Sequence, residues 1–148
     1  MGPDQPYAMK VMVVDDEPDV ELLFRQKFRR EVRAGNLHLH FARSGEEALA
    51  QLKEPGIADV VLILSDINMP GIHGLELLRQ LKGQYPELRV CMITAYDDSE
   101  KYETAMRYGA DGYVTKPIDF ERLRREVLKL ESKAGGERDE DSGGRRRA

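Results

Sequence analysis

The chain has 148 residues, of which 34% are charged and 41% are hydrophobic, and its formal net charge is −4. That length suits one domain of ordinary size, and the mild acidity gives no sign of the basic surface that nucleic-acid binding requires. The lone cysteine, Cys91, excludes an internal disulfide and a cysteine-built zinc site. The longest apolar run, Val60–Leu64, is far shorter than the ~20 residues of a membrane helix. We therefore expect a soluble, cytoplasmic protein that binds neither nucleic acid nor membrane.

The two ends of the chain differ in composition from its middle. Residues 1–8 contain Pro3 and Pro6 and no apolar core, and are predicted to be a flexible N-terminus. Residues 9–132 are predicted to form a single folded domain. Residues 133–148 contain no apolar residue larger than alanine and mix acidic side chains with arginines. Such a segment buries too little surface to offset its ordering entropy, so we expect a disordered charged tail.

Five short runs of apolar and β-branched residues predict five strands. The third run shows no polar alternation, which is typical of a strand buried on both faces. The runs are Lys10–Val14, Leu37–Ala42, Val60–Ser65, Val90–Thr94 and Tyr113–Thr115.

Helices are predicted after each strand, where apolar residues recur at helical spacing. Pro18 suits the first turn of the first helix, and Ser44 with Glu47 forms a capping-box pattern before the second. Asp97 and Glu100 repeat that spacing before the fourth. The apolar stripes are Val20, Leu23, Phe24 and Phe28; Ala48, Leu49 and Leu52; Leu75, Leu78 and Leu81; Tyr102, Ala105 and Met106; and Phe120, Leu123, Val127 and Leu130.

Strand and helix thus alternate five times along the chain. This order predicts an α/β fold in which crossover helices join five parallel strands and cover both faces of one sheet. Ligands of such open sheets bind beyond the carboxyl ends of the strands. The residues at those strand ends are therefore the candidates for function.

Polar and charged side chains lie at the ends of four predicted strands. Asp15 and Asp16 follow the first strand, Asp66 follows the third, Thr94 ends the fourth and Lys116 follows the fifth. Because the carboxyl ends of parallel strands meet at one edge of a sheet, we expect these side chains to lie close together. Asp15 or Asp16 taken alone is better explained as a loop residue or a helix cap, but the coincidence with Asp66, Thr94 and Lys116 at matching strand ends favours a site.

The chemistry of such a group points to a metal ion and a transferred anion. Two carboxylates about 5 Å apart repel each other by roughly 3 kcal/mol at an effective dielectric near 20. A hard divalent cation with open positions, such as Mg²⁺, removes that repulsion. One carboxylate oxygen could then attack a phosphoryl group, while the ammonium and the hydroxyl hydrogen-bond the transferred oxygens.

Four sequence blocks at these strand ends resemble the receiver domain of two-component response regulators. They occur in the family's order and at family-like spacings within about residues 9–132, and no residue of the family's core motif is missing. The blocks are Val13–Pro18, Ser65–Gly71, Ile93–Ala95 and Lys116–Pro117. The resemblance implies a flavodoxin-like, doubly wound (βα)5 fold with five parallel strands.

The resemblance also implies how the acidic residues act. Asp66 would be phosphorylated by a histidine kinase or a histidine phosphotransfer protein. Asp66 would also ligate Mg²⁺, together with Asp16 directly, Asp15 through water and the backbone carbonyl of Asn68. A phosphoryl-accepting chain of this kind is not an enzyme acting on other substrates, since it catalyses only its own phosphorylation and dephosphorylation.

Three more residues have implied roles in binding and signalling. Thr94 would hydrogen-bond the phosphoryl group, and Lys116 would pair with it. Tyr113 matches the aromatic switch position, which turns inward as Thr94 moves, although an ordinary strand aromatic explains this residue equally well. In the family, the signal passes to a downstream protein through the fourth helix, fifth strand and fifth helix, here about residues 94–125.

Other interpretations stay open at this point. The chain could be a receiver without an output domain or a receiver fragment of a longer regulator. An aspartyl-phosphate phosphatase of the haloacid-dehalogenase type needs an aspartate two residues after its nucleophile, where this chain has Asn68, and a larger core or cap. A receiver-shaped module that is never phosphorylated is disfavoured by the intact set of site residues.

Overall fold

The computed structural model describes residues 9–57, 59–69, 71–95 and 99–127. The predicted flexible ends, 1–8 and 133–148, and Asp97 of the second capping pattern lie outside these ranges. The described residues contain five strands, which are β1, Met9–Val14; β2, Leu37–Ala42; β3, Leu62–Asp66; β4, Arg89–Thr94; and β5, Gly112–Thr115. All four strand pairs are parallel, in the order β2-β1-β3-β4-β5. The predicted doubly wound α/β fold is therefore confirmed.

The described ranges also contain six α-helices, one more than the sequence pattern predicts, and a short 3₁₀ helix at Pro55–Ile57. The α-helices are α1, Pro18–Lys27; α2, Arg29–Arg33; α3, Gly45–Gln51; α4, Gly74–Gln84; α5, Ser99–Arg107; and α6, over residues 120–127. Within the described ranges, the residues up to 117 belong to one compact unit with the whole sheet and α1–α5, and residues 118–127 belong to a second with α6. Among the helices described, none combines the length and apolar character needed to cross a bilayer.

The strands β1 and β3 are buried on both faces. Along β1 every residue from Val11 to Val14 is buried, and so is every residue of β3. One face of the sheet packs into the main apolar cluster, where α4 contributes three buried leucines, Leu77, Leu78 and Leu81. This burial explains why the third predicted run is apolar without alternation.

The third strand begins and ends later than the sequence predicts. It covers Leu62–Asp66 rather than Val60–Ser65. As a result Asp66 is the last residue of the strand, paired in register with Ile93 of β4, and not the first residue of the loop. The sheet, rather than a loop, fixes the backbone of this central site residue.

The first helical stripe is only partly correct. Phe24 and Phe28 are buried, and their rings stack with centroids 6.0 Å apart. Leu23, however, is 39% exposed and does not belong to the core. The predicted helix is also divided, because Phe28 leaves helical backbone angles and α2 begins at the next residue. The buried ring of Phe28 is therefore held at the junction of two helices.

The predicted helix starts are confirmed where the structure describes them. Pro18 is the first residue of α1. Ser44 caps α3, since its Oγ accepts a hydrogen bond from the backbone N–H of Glu47 (3.0 Å). The carboxylate of Glu47 accepts from the backbone N–H of Arg43 (2.8 Å), one residue before the expected partner in a capping box.

The turn from β3 into α4 brings two backbone segments together at Gly74. Its N–H donates to the carbonyl oxygen of Ile67 (2.8 Å). A Cβ at position 74 would overlap the carbonyl oxygen of Asp66 and lie 2.6 Å from the Cα of Ile67. Only glycine fits this approach, so Gly74 closes the loop that follows Asp66.

Gly74→Ala should therefore lower the free energy of unfolding by about 1–3 kcal/mol, the usual cost of forcing extra volume into a packed site. The matched control is Gly83→Ala, also in α4, where a Cβ meets no atom within 4 Å. That control should instead raise stability by about 0.5–1 kcal/mol, because alanine favours a helix over glycine. Urea unfolding of the three proteins measures both effects, and equal shifts in the two variants would contradict the close approach.

Candidate functional site

The parallel register brings the predicted site residues to one edge of the sheet. Asp15 follows β1 directly beside Asp66, the last residue of β3. On the other side of β3, Thr94 ends β4 and Lys116 follows β5. The backbone N–H of Lys116 donates to the carbonyl oxygen of Thr94 (2.8 Å), which holds the end of β5 against β4. Backbone pairing alone thus assembles the group that the sequence predicts.

Three carboxylates lie together at this edge. Asp15, Asp16 and Asp66 each offer an oxygen within 4.8 Å of the others. Asp15 and Asp66 are buried and Asp16 is half-buried. The Oδ1 of Asp15 also accepts the backbone N–H of Glu17 (3.0 Å), which orients that carboxylate. Three oxygen ligands at this spacing fit a hard divalent cation such as Mg²⁺, which keeps its other positions for water or substrate oxygens.

Lys116 faces two of these carboxylates. Its Nζ lies 3.6 Å from Oδ2 of Asp15 and 3.7 Å from Oδ1 of Asp66. Burial disfavours the ammonium form, but attraction to Asp15 and Asp66 outweighs it, so the pKa of Lys116 lies above its ordinary value. Lys116 is therefore held charged, where it can pair with a further anion.

The surroundings of Asp66, in contrast, disfavour its charged form. Burial, and after it repulsion from Asp15, raise the pKa of Asp66 to about 6, although Lys116 acts in the other direction. The carboxylate is still mostly ionised at neutral pH, so its oxygens are available as nucleophiles. Any added positive charge would relieve the repulsion and favour the ionised form.

The remaining predicted site residues differ in exposure. The side chain of Thr94 is fully buried at the end of β4, and Asn68 is exposed in the loop after β3. Tyr113 on β5 is half-buried, and its ring meets that of Tyr102 on α5 edge-on, with centroids 5.0 Å apart. Tyr113 thus contacts α5, and its role as a switch residue stays a prediction.

Two charged side chains at the site were missed by the sequence analysis. Lys101 on α5 donates from Nζ to Oδ1 of Asn68 (3.0 Å), and Glu46 on α3 accepts the backbone N–H of Ile72 (3.2 Å). The partners are 33 and 26 positions apart in the chain. No local spacing signals contacts over such separations, so only the fold reveals them.

Comparison with known proteins agrees with this geometry. Residues 11–128 match the response regulator receiver domain, so the chain belongs to that family of two-component signalling domains. The probable C4-dicarboxylate response regulator DctR of Halalkalibacterium halodurans is 31% identical over 123 residues, which are 83% of this chain and 51% of that protein. The solved receiver domain of NtrX from Brucella abortus is 30% identical with a TM-score of 0.70, covering 82% of this chain and 98% of that one.

The curated relatives are longer proteins than this chain. The DNA-binding transcriptional regulator NtrC of Salmonella typhimurium is 36% identical over 113 residues, which are 75% of this chain but only 22% of that protein. The chain therefore spans about half, or less, of the curated relatives it matches. DNA binding is a property named for the whole of NtrC, and the shared part is the receiver domain.

In metal-free buffer, the stability of the fold should fall as Asp66 ionises. Its pKa is about 6 in the folded chain and about 4 in the unfolded chain, so the folded state binds this proton more tightly. The favourable contribution of the protonated Asp66 to the stability of the fold is complete below pH ~4 and is lost as the pH rises through about 6. Asp66→Asn should therefore match the wild type near pH 4 and exceed it by about 1–2 kcal/mol at pH 7.

Asp59→Asn is the control for this comparison. The hydrogen bond from Lys10 (2.8 Å) holds the pKa of Asp59 below its ordinary value, so its effect has the opposite sign. Above the pH range in which unfolded aspartate titrates, this variant should be slightly less stable than the wild type, and the difference should disappear as the pH falls below that range. Denaturant unfolding at several pH values measures both variants, and an Asp66→Asn effect that is independent of pH would refute the assignment.

Proposed function

We propose that this receiver domain accepts a phosphoryl group on Asp66, with Mg²⁺ bound, from the phosphohistidine of a histidine kinase or a histidine phosphotransfer protein. The observation that supports this most directly is the place of the Asp66 carboxylate. It is buried at the sheet edge beside Asp15, with the ammonium of Lys116 3.7 Å away. This position suits a carboxylate that acts as a nucleophile, because the nearby ammonium can neutralise negative charge on the group that is transferred to it.

In the transfer, an oxygen of Asp66 forms a bond to phosphorus while the bond between phosphorus and the donor's imidazole nitrogen breaks. The electron pair of the broken bond stays on that nitrogen. No proton leaves Asp66, because its carboxylate is mostly ionised at neutral pH. The three aspartates and the backbone carbonyl of Asn68 would hold Mg²⁺, which would supply positive charge to the carboxylates and the transferred oxygens.

The other strand ends receive the transferred group. Lys116 is kept charged by Asp15 and Asp66 and would pair with one phosphoryl oxygen, while the buried hydroxyl of Thr94 would donate to another. These residues act only on the group attached to Asp66. The chain therefore catalyses its own phosphorylation and dephosphorylation and turns over no other substrate.

Output is proposed to reach a downstream protein through α5 and β5. A phosphoryl group beside Thr94 and Lys116 would first displace the ends of β4 and β5. Tyr113 on β5 contacts Tyr102 on α5, so movement of that strand is passed to the helix. A partner that prefers the rearranged helix shifts the population toward it by its difference in affinity for the two states.

Incubation with Mg²⁺ and phosphoramidate, followed by intact mass measurement, should show the addition of one phosphate. Asp66→Asn should reduce the labelled fraction to background, because the amide cannot act as the nucleophile. Asp19→Asn, an exposed position on α1, should be labelled like the wild type. A phosphate on the Asp66→Asn protein would contradict the assignment.

The same reaction tests the metal. Chelation of Mg²⁺, or Asp16→Ala, should lower the labelling rate by about tenfold or more, the usual effect of disturbing a catalytic metal site. Equal rates with and without the metal would show that the three carboxylates hold no functional cation.

A further inference from the structure

Charged side chains from two neighbouring helices hold the loop that joins β3 to α4. On one side, the carboxylate of Glu46 on α3 accepts a hydrogen bond from the backbone N–H of Ile72 (3.2 Å). On the other side, the ammonium of Lys101 on α5 donates to Oδ1 of Asn68 (3.0 Å). Asn68 lies two residues after Asp66, so the second contact acts on the loop next to the phosphoryl site.

Lys101 lies against this loop and not in bulk solvent. Its neighbours Glu100 and Glu103 are exposed, whereas Lys101 is half-buried. Burial, and after it the ammonium of Lys101, hold the pKa of His73 below its ordinary value. His73 in turn accepts the backbone N–H of Leu75 at the start of α4 (3.3 Å). The ammonium of Lys101 therefore interacts with residues near both ends of the loop, namely Asn68 and His73.

We propose that Lys101 is a positioning residue which, through its hydrogen bond to Asn68, slows hydrolysis of the phosphoryl group on Asp66. The inference rests on the proposed function, since it concerns the lifetime of the aspartyl phosphate. It adds a residue of α5, outside the strand ends, to the set that controls the chemistry.

Hydrolysis needs a water molecule at the phosphorus atom. The water oxygen forms a bond to phosphorus, the bond from phosphorus to the Asp66 oxygen breaks, and its electron pair returns to the carboxylate. Both hydrogens of the water leave with the released phosphate. Asp66 is buried, whereas Asn68, two residues further on, is exposed. In this proposal the attacking water reaches the phosphorus atom past the Asn68 side chain.

The amide oxygen of Asn68 decides how well that water is oriented. Carbonyl-type oxygens accept hydrogen bonds, and a free Oδ1 beside the site would accept one from the attacking water. The ammonium of Lys101 takes one of the two acceptor positions of this oxygen and ties the side chain to α5. Removal of the ammonium would free that position and let the Asn68 side chain turn toward the attacking water, and both changes favour hydrolysis.

The experiment follows the loss of label after the phosphodonor is removed, with Mg²⁺ present. Lys101→Met should speed the first-order loss of label about three- to tenfold, which is the change in rate expected from the net free energy of one hydrogen bond. Lys101→Arg keeps a cationic donor and should stay within about twofold of the wild type. Lys53→Met, the same change at an exposed lysine after α3, should decay like the wild type. Only folded, labelled protein contributes to the decay, so a partly unfolded variant does not distort it.

A double-variant test separates positioning from direct electrostatics. In an Asn68→Ala background, Lys101→Met should change the decay rate by less than about twofold, because its effect passes through the amide oxygen. Equal decay in Lys101→Met and the wild type, slower decay, or acceleration that persists without Asn68 would each overturn the inference. Absence of label in the wild type would instead overturn the proposed function, and this inference with it.

Discussion

Repulsion among three carboxylates at one edge of the sheet is the constraint on which the rest of the site depends. The pairing of β1 with β3 leaves Asp15 beside Asp66, and burial keeps water from screening the two charges. One ammonium, that of Lys116, offsets only part of this negative charge. The pKa of Asp66, about 6, reflects the part that is left. In the proposed function, a divalent cation would complete the neutralisation and would lower the electrostatic cost of the approach of a phosphoryl group.

Much of this arrangement follows from the sequence, because parallel strands must bring their carboxyl ends to one edge. Knowing that Asp15, Thr94 and Lys116 lie at strand ends is enough to predict that they meet. The capping of α3 by Ser44 and the start of α1 at Pro18 were predicted from local patterns, whose physical cause lies within a few residues. The strand order is not local, and its prediction came from the resemblance to the receiver family.

The errors and omissions come from contacts that local patterns do not encode. The third strand was placed too early because Val60 is as apolar as the strand itself, and only pairing with β4 shows that Asp66 lies within it. Leu23 has helical spacing but is exposed, although it lies within α1 beside the buried Phe24. The bond between Lys101 and Asn68 joins distant parts of the chain and depends on the packing of the fold.

The thermal midpoint of the wild-type protein as a function of Mg²⁺ concentration tests the central claim most directly. At neutral pH and constant ionic strength, added Mg²⁺ should raise the midpoint progressively, because a cation that binds only the folded site stabilises it by mass action. At pH ~4, where Asp66 is protonated, the rise should be much smaller. A midpoint at neutral pH that does not respond to Mg²⁺ would contradict the account that carboxylate repulsion, relieved by a bound cation, organises this site.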